Sequence, residues 1–177
     1  MTRVLIAMAG LPGAGKSTVA EGLARSLGTP VVSVDPVEAA MRRAGISAGQ
    51  PTGLAAYLAA EAVADGILAL GQSVIVDAVN AVEPAREQWR ALAARHAVPL
   101  AFVEVVCGDP AVHRGRLESR DRGLVGLPEP TWSEVSTRAW DPWTDPRLTL
   151  DSLSAPAANL ATAREYVGRV SVLRPDV

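Results

Sequence analysis

A short stretch near the start of the chain, GLPGAGKST (residues 10–18), carries its most specific chemistry. Gly10, Gly15, Lys16 and Ser17 meet the spacing G-x-x-x-x-G-K-[S/T], with an apolar run before them and a helical pattern after. Glycines at such positions let backbone N–H groups turn inward and approach phosphate oxygens closely. Gly13, Ala14 and Thr18 complete the expected cradle, and the following helix points its positive end at the same oxygens. Lys16 can reach the β- and γ-phosphates of ATP or GTP, and the Ser17 hydroxyl can ligate Mg²⁺. Lys16 is the only lysine in the chain; arginine carries the rest of the positive charge. The rival dinucleotide fingerprint G-x-G-x-x-G is not met, because the glycines fall at 10, 13 and 15.

Such a loop serves switches, motors and kinases alike. A guanine-reading N-K-x-D motif would need a second lysine, and a motor would need a larger chain with subunit interfaces. A compact kinase remains, and it needs a base for the acceptor hydroxyl, help with Mg²⁺ and arginines for the transferring phosphoryl group. Asp35, in VSVDP, closes a predicted strand and can serve as the base; an Asp before Pro also suits a helix N-cap. Asp77, in SVIVDAVN, ends another apolar run in the manner of a Walker B aspartate, either serving Mg²⁺ or orienting the acceptor. In HRGRLESRDR (113–122), Arg116 and Arg120 stand four apart and share a face if helical, as lid arginines would. Arg42 and Trp132 are further candidates for the acceptor side. His96 and His113 have no partners at metal-ligand spacing and receive no role.

These residues need a frame to bring them together. Apolar runs at 3–9, 31–35, 73–78, 100–107 and 147–152 alternate with helical patterns at 16–27, 36–44, 54–70, 84–97, 110–120, 131–140 and 156–170. That alternation predicts a single doubly wound α/β domain over 1–177, with a lid region at about 110–143. The Gly/Pro-rich segment 121–131 reads as a loop within the lid. At 177 residues and 49% hydrophobic composition the chain can bury one sizeable core. A net charge of −2 provides no general attraction to nucleic acid or to an anionic membrane. The single cysteine, Cys107, excludes an internal disulfide. The apolar start runs straight into the glycine loop rather than into a cleavage-type segment, and no uninterrupted run of ~18 apolar residues occurs. A cytoplasmic monomer or homodimer is expected.

GLPGAGKST, VSVDP, VIVDAVN and HRGRLESR together resemble the small P-loop kinases allied to chloramphenicol phosphotransferase and to the 5′-kinase domain of polynucleotide kinase. The resemblance runs from Val4 to about Ser152. It implies a three-layer fold with a five-stranded parallel sheet in 2-3-1-4-5 order and an arginine-bearing helical lid. It further implies Asp35 as acceptor base, Arg116 and Arg120 as lid arginines, and a natural-product antibiotic as the leading acceptor class. The chain departs from polynucleotide kinases at Glu38, where they typically carry an arginine; Arg42 and Arg43 lie one turn further on. An acidic residue at that entrance disfavours a nucleic-acid acceptor. The expected partners are a nucleoside triphosphate and a hydroxylated small molecule. A polynucleotide 5′-hydroxyl kinase and a non-catalytic nucleotide-gated binding protein are the alternatives.

Overall fold

A computed structural model describes residues 3–47 and 49–172. The elements run β1 (Leu5–Ala9), α1 (Lys16–Leu27), β2 (Val31–Ser33), α2 (Val34–Arg43), α3 (Thr52–Ala69), β3 (Val74–Asp77), α4 (Glu83–Arg95), β4 (Leu100–Val106), α5 (Pro110–Glu118), α6 (Trp132–Ser136), β5 (Arg147–Asp151) and α7 (Pro156–Val172). The five strands form one parallel sheet in the order β2-β3-β1-β4-β5, as the resemblance implies.

The central strand explains the layering. Every residue of β1, LIAMA, is buried, so both faces of the strand must be covered. Alternate side chains point to opposite faces. Leu5 and Ala7 join a core with Val74, Val76, Trp89 and Phe102, which α3 and α4 cover. Ile6 and Met8 join the other, with Val19, Leu23, Ile75 and Val103, which α1 and α7 cover. On α3 the inward residues Ala56, Ala60, Ala64 and Leu68 recur every four positions, and the small ones let the helix lie close to the sheet. α3 alone has the length and mean hydropathy (1.3) of a membrane span among the described residues. It also carries Glu61 and Asp65, which pair with Arg95 of α4.

Several element ends differ from the expected ones, among them those of α2, α5 and α6. β2 stops at Ser33, and Asp35 lies in the first turn of α2 rather than at the strand end. Pro36 fits in that first turn because its missing N–H has no intrahelical partner to lose there. α6 is likewise shorter than the expected 131–140. A Thr131–Glu134 capping box starts it, and it ends at Ser136. The following segment turns away to put Trp143 edge-on to Phe102 at 5.1 Å between centroids. The guanidinium carbons of Arg86 and Arg147 lie 4.8 and 4.6 Å from the Trp143 ring centroid. Trp143 therefore ties the far end of the lid to the sheet layer.

Beyond β3, the fully buried Asn80 fastens three elements at once, at φ +52°. Its Nδ2 donates to Met8 O at 2.7 Å, its Oδ1 accepts from Trp89 Nε1 at 2.9 Å, and its N–H donates to Tyr57 Oη at 3.1 Å. Asn80→Ala would strand the Trp89 N–H and the Met8 carbonyl in the core and place alanine in a left-handed conformation. A loss of about 3 kcal/mol in unfolding free energy is expected, measured by chemical denaturation.

Candidate active site

Many of the predicted site residues gather at the carboxyl edge of the sheet, in the loops and in the first turns of α1 and α2. Gly10 follows β1 at φ +136°, and a Cβ there would stand 2.2 Å from the carbonyl oxygen of Val105. Only glycine lets the loop pass this close to β4. Gly15, at φ +104°, is the N-cap of α1, and no side chain among the described residues caps that helix. The first N–H groups of α1 are thereby available to an anion. Gly13, Ala14 and Thr18 belong to the same loop-to-helix turn.

Lys16 opens α1 and is 8% exposed, its Nζ donating to Leu11 O at 3.3 Å. Burial pushes its pKa down, opposed by the nearby carboxylates of Asp77 and Asp35. Ser17 Oγ donates to Asp77 Oδ2 at 2.7 Å. The other Asp77 oxygen, Oδ1, is buried without a hydrogen-bond partner among the described residues. A buried carboxylate oxygen left over beside a serine hydroxyl fits a hard divalent cation, because magnesium takes few protein oxygens and completes its shell with water and phosphate. Ser17 and Asp77, both offered by the sequence for the metal, are thus brought into contact.

The segment expected as a lid begins with α5, whose N-cap Asp109 accepts from the N–H groups of Ala111 (2.8 Å) and Val112 (3.2 Å). Arg116 lies on α5, but Arg120 lies past its end at Glu118, and the two take different partners. Arg116 donates to Ser152 Oγ at 2.7 Å and to Ser152 O at 3.2 Å, fixing the loop after β5. Arg120 Nε lies 3.2 Å from Glu129 Oε2. Burial lowers the pKa of Arg120, with the charge of Arg122 adding to it.

Two lid residues escape the sequence reading. Arg122 donates to Asp35 through Nη1, and to both carboxylate oxygens of Glu129 through Nε (2.6 Å) and Nη2 (3.1 Å). Arg122 ends the basic run HRGRLESRDR, but helical spacing points to Arg116 and Arg120 instead. Glu129 sits in a segment with no periodicity, so nothing in its neighbours marks it. His113, given no role from sequence, is buried with its Nε2 donating to Pro12 O at 2.8 Å, and so braces the glycine loop. Its partner lies 101 residues away in the chain, out of reach of any spacing rule.

A groove of about 540 Å³ runs along the loop, lined by Gly15, Lys16, Thr18, Arg116, Ser152 and Asn159 among others. A second cleft of about 290 Å³ is lined by Ser17, Asp35, Pro36, Asp77, Val79 and Leu124 among others. Lys16, Arg120 and Arg122 border both cavities. The groove thus meets the Asp35 cleft at the lysine. Arg42 and Trp132 border neither. Arg42 pairs with Glu38 at 3.4 Å and packs beneath Gly126 of the lid. Trp132 packs edge-on to His113 at 5.3 Å between centroids. Glu38 accepts from Thr52 Oγ1 at 2.7 Å, so its charge is engaged inside the α2–α3 contact rather than left open at an entrance.

Gly10→Ala combines a strained φ with a backbone clash. The expected result is a loss of about 2–4 kcal/mol in stability and of the thermal shift that Mg²⁺-nucleotide induces in the unchanged protein, both read from melting curves with and without ligand.

The comparisons bear on the family and the fold. A family model described as AAA domain (AAA_33) matches residues 5–145. No curated protein matches the chain in sequence. Among solved structures, a Chloroflexus aurantiacus protein provisionally designated a kinase superposes with TM-score 0.75 at 23% identity, covering 96% of this chain and 98% of that one. A gluconokinase from Sinorhizobium meliloti 1021 gives 0.68 at 22% identity, covering 97% and 95%. The Mycobacterium tuberculosis APS kinase CysC, in complex with AMPPNP and APS, gives 0.69 at 18% identity, covering 94% and 96%. At these identities the likeness is one of fold. The chain belongs to the AAA_33 family of AAA domains and has the fold of P-loop kinases.

Proposed function

We propose that the protein transfers the γ-phosphoryl group of ATP or GTP, with Mg²⁺, to a hydroxyl of a small molecule. One observation carries this reading: Lys16, with Arg120 and Arg122, borders both the phosphate groove and the cleft that holds Asp35, so donor and acceptor compartments meet at a shared cluster of cations. A P-loop used only for gating has no need of a carboxylate across that junction.

The residues divide the work. The glycine loop and the start of α1 bind the polyphosphate, and Lys16 neutralises its β and γ ends. Ser17 and Asp77 would hold magnesium, which when bound screens the phosphate charge and orients the terminal group. Asp35 accepts the proton of the acceptor hydroxyl as the new O–P bond forms and the bond to the β–γ bridging oxygen breaks, leaving the nucleoside diphosphate. For this, Asp35 must be released from Arg122. Arg120 and Arg122 then supply positive charge where the oxygens of the transferring phosphoryl carry negative charge. Arg116 acts at the other end of the groove, through Ser152 and the loop after β5, against the nucleoside.

Cleft volume and lining favour a compact acceptor. A cleft of about 290 Å³ suits a small molecule, and Pro36, Val79 and Leu124 give the wall an apolar side. A hydroxylated natural-product antibiotic remains the leading class, on the strength of the sequence resemblance. The small cleft and the net charge of −2 weigh against a polynucleotide.

Incubation with γ-labelled ATP or GTP and a panel of hydroxylated antibiotics, sugars, nucleosides and oligonucleotides tests the proposal. Label is expected on a small acceptor. Asp35→Asn should reduce transfer at least ~100-fold while nucleotide binding stays within about threefold. Label only on oligonucleotide 5′ ends would favour the polynucleotide reading. Full function in the Asp35 variant would favour the non-catalytic one.

A further inference from the structure

Glu129 lies between α5 and α6, 26% exposed, and its one carboxylate serves two arginines. Arg122 is well satisfied there: two hydrogen bonds to Glu129 and a third to Asp35. Arg120 is not. Its Nε comes within 3.2 Å of Glu129 Oε2 but lacks hydrogen-bond alignment, and it is buried without a partner among the described residues. A buried guanidinium N–H without an acceptor is costly, and the like charge of Arg122 beside it adds to the cost. Both arginines border the groove that the phosphate loop forms. The resting lid therefore holds one arginine firmly and one loosely, on a carboxylate that competes with any phosphate for both.

We infer that Glu129 is a positioning residue that stands in for the terminal phosphate of the nucleotide, holding the lid arginines until a polyphosphate takes Arg120 and loosens Arg122 from Asp35. The inference rests on the phosphotransferase reading and deepens it. It sets an order of events. Asp35 is paired with Arg122 until a polyphosphate draws the lid arginines away, so nucleotide binds first and frees the base, and acceptor binds second. Removing the carboxylate removes the competitor, and the arginines become available to phosphate. It also leaves Arg122 with Asp35 as its remaining partner, so the base is released less readily. Nucleotide binding and turnover should then move in opposite directions, whereas a purely structural role for Glu129 would weaken both.

Calorimetric titration of the whole chain with magnesium and AMPPNP, or its guanine counterpart, provides the readout. Glu129→Gln is expected to bind the analogue about fivefold more tightly, the scale set by losing one partly exposed charge pair. Nucleotide KM should fall with it and kcat should drop about tenfold. Glu129→Asp keeps the charge but withdraws it by one methylene, and should tighten binding about twofold with kcat largely restored. If the amide variant does not fold, the Asp variant decides alone. Unchanged or weaker binding by the folded variants overturns the inference while leaving the phosphotransferase reading intact. Failure of the unchanged protein to bind either analogue overturns both.

Discussion

The constraint on which the site depends is the convergence of positive charge at the carboxyl edge of the sheet. Lys16 is buried there at the start of a helix whose own dipole is positive at that end, and Arg120 and Arg122 close over it from the lid. Such a concentration is stable only if anions answer it. Three carboxylates do so. Asp77 faces Ser17, while Asp35 and Glu129 share Arg122. Each belongs to a different part of the chain, so the site is held together by charges drawn from three separate segments.

The sheet order makes these meetings possible. β3 lies beside β1, which brings Asp77 next to the helix that follows the glycine loop. β2 lies beyond β3, which sets the first turn of α2, and with it Asp35, across the cleft from Lys16. β4 lies on the other side of β1, so the lid that follows it spans back over the loop towards α2. Asn80 and His113 then fix the loops themselves, one tying the turn after β3 to β1 and the other bracing Pro12 from α5. Trp143, with two guanidiniums against its ring and Phe102 edge-on, anchors this segment where it returns to the sheet.

Much of this was legible in the sequence because the signals were local. The glycine loop is a contiguous pattern tied to one backbone shape, and Asp77 closes a run apolar enough to be a buried strand. The strand order came from resemblance, since local periodicity says nothing about which strands are neighbours. The start of α2 was read two residues late because Pro36 looked like the first helical residue, when the helix accommodates it in its first turn. Arg122, Glu129 and His113 were out of reach for one shared reason. Their roles depend on partners brought near by tertiary folding, and the lid segment that holds Glu129 has no regular period. The spacing rule that selected Arg116 and Arg120 assumed a helix that in fact ends at Glu118. Arg116 hydrogen-bonds Ser152 in the loop after β5, whereas Arg120 lies beside Glu129.

The central claim is that a nucleotide rearranges one charge cluster so that its terminal phosphate faces a freed Asp35. A crystal structure with magnesium and a non-hydrolysable nucleoside triphosphate tests it most directly. The account predicts the terminal phosphate against Lys16 and Arg120, with magnesium at Ser17 and Asp77 and the Asp35 carboxylate released from Arg122. A bound nucleotide whose terminal phosphate points away from the Asp35 cleft, with the Asp35–Arg122 pair unchanged, would contradict it.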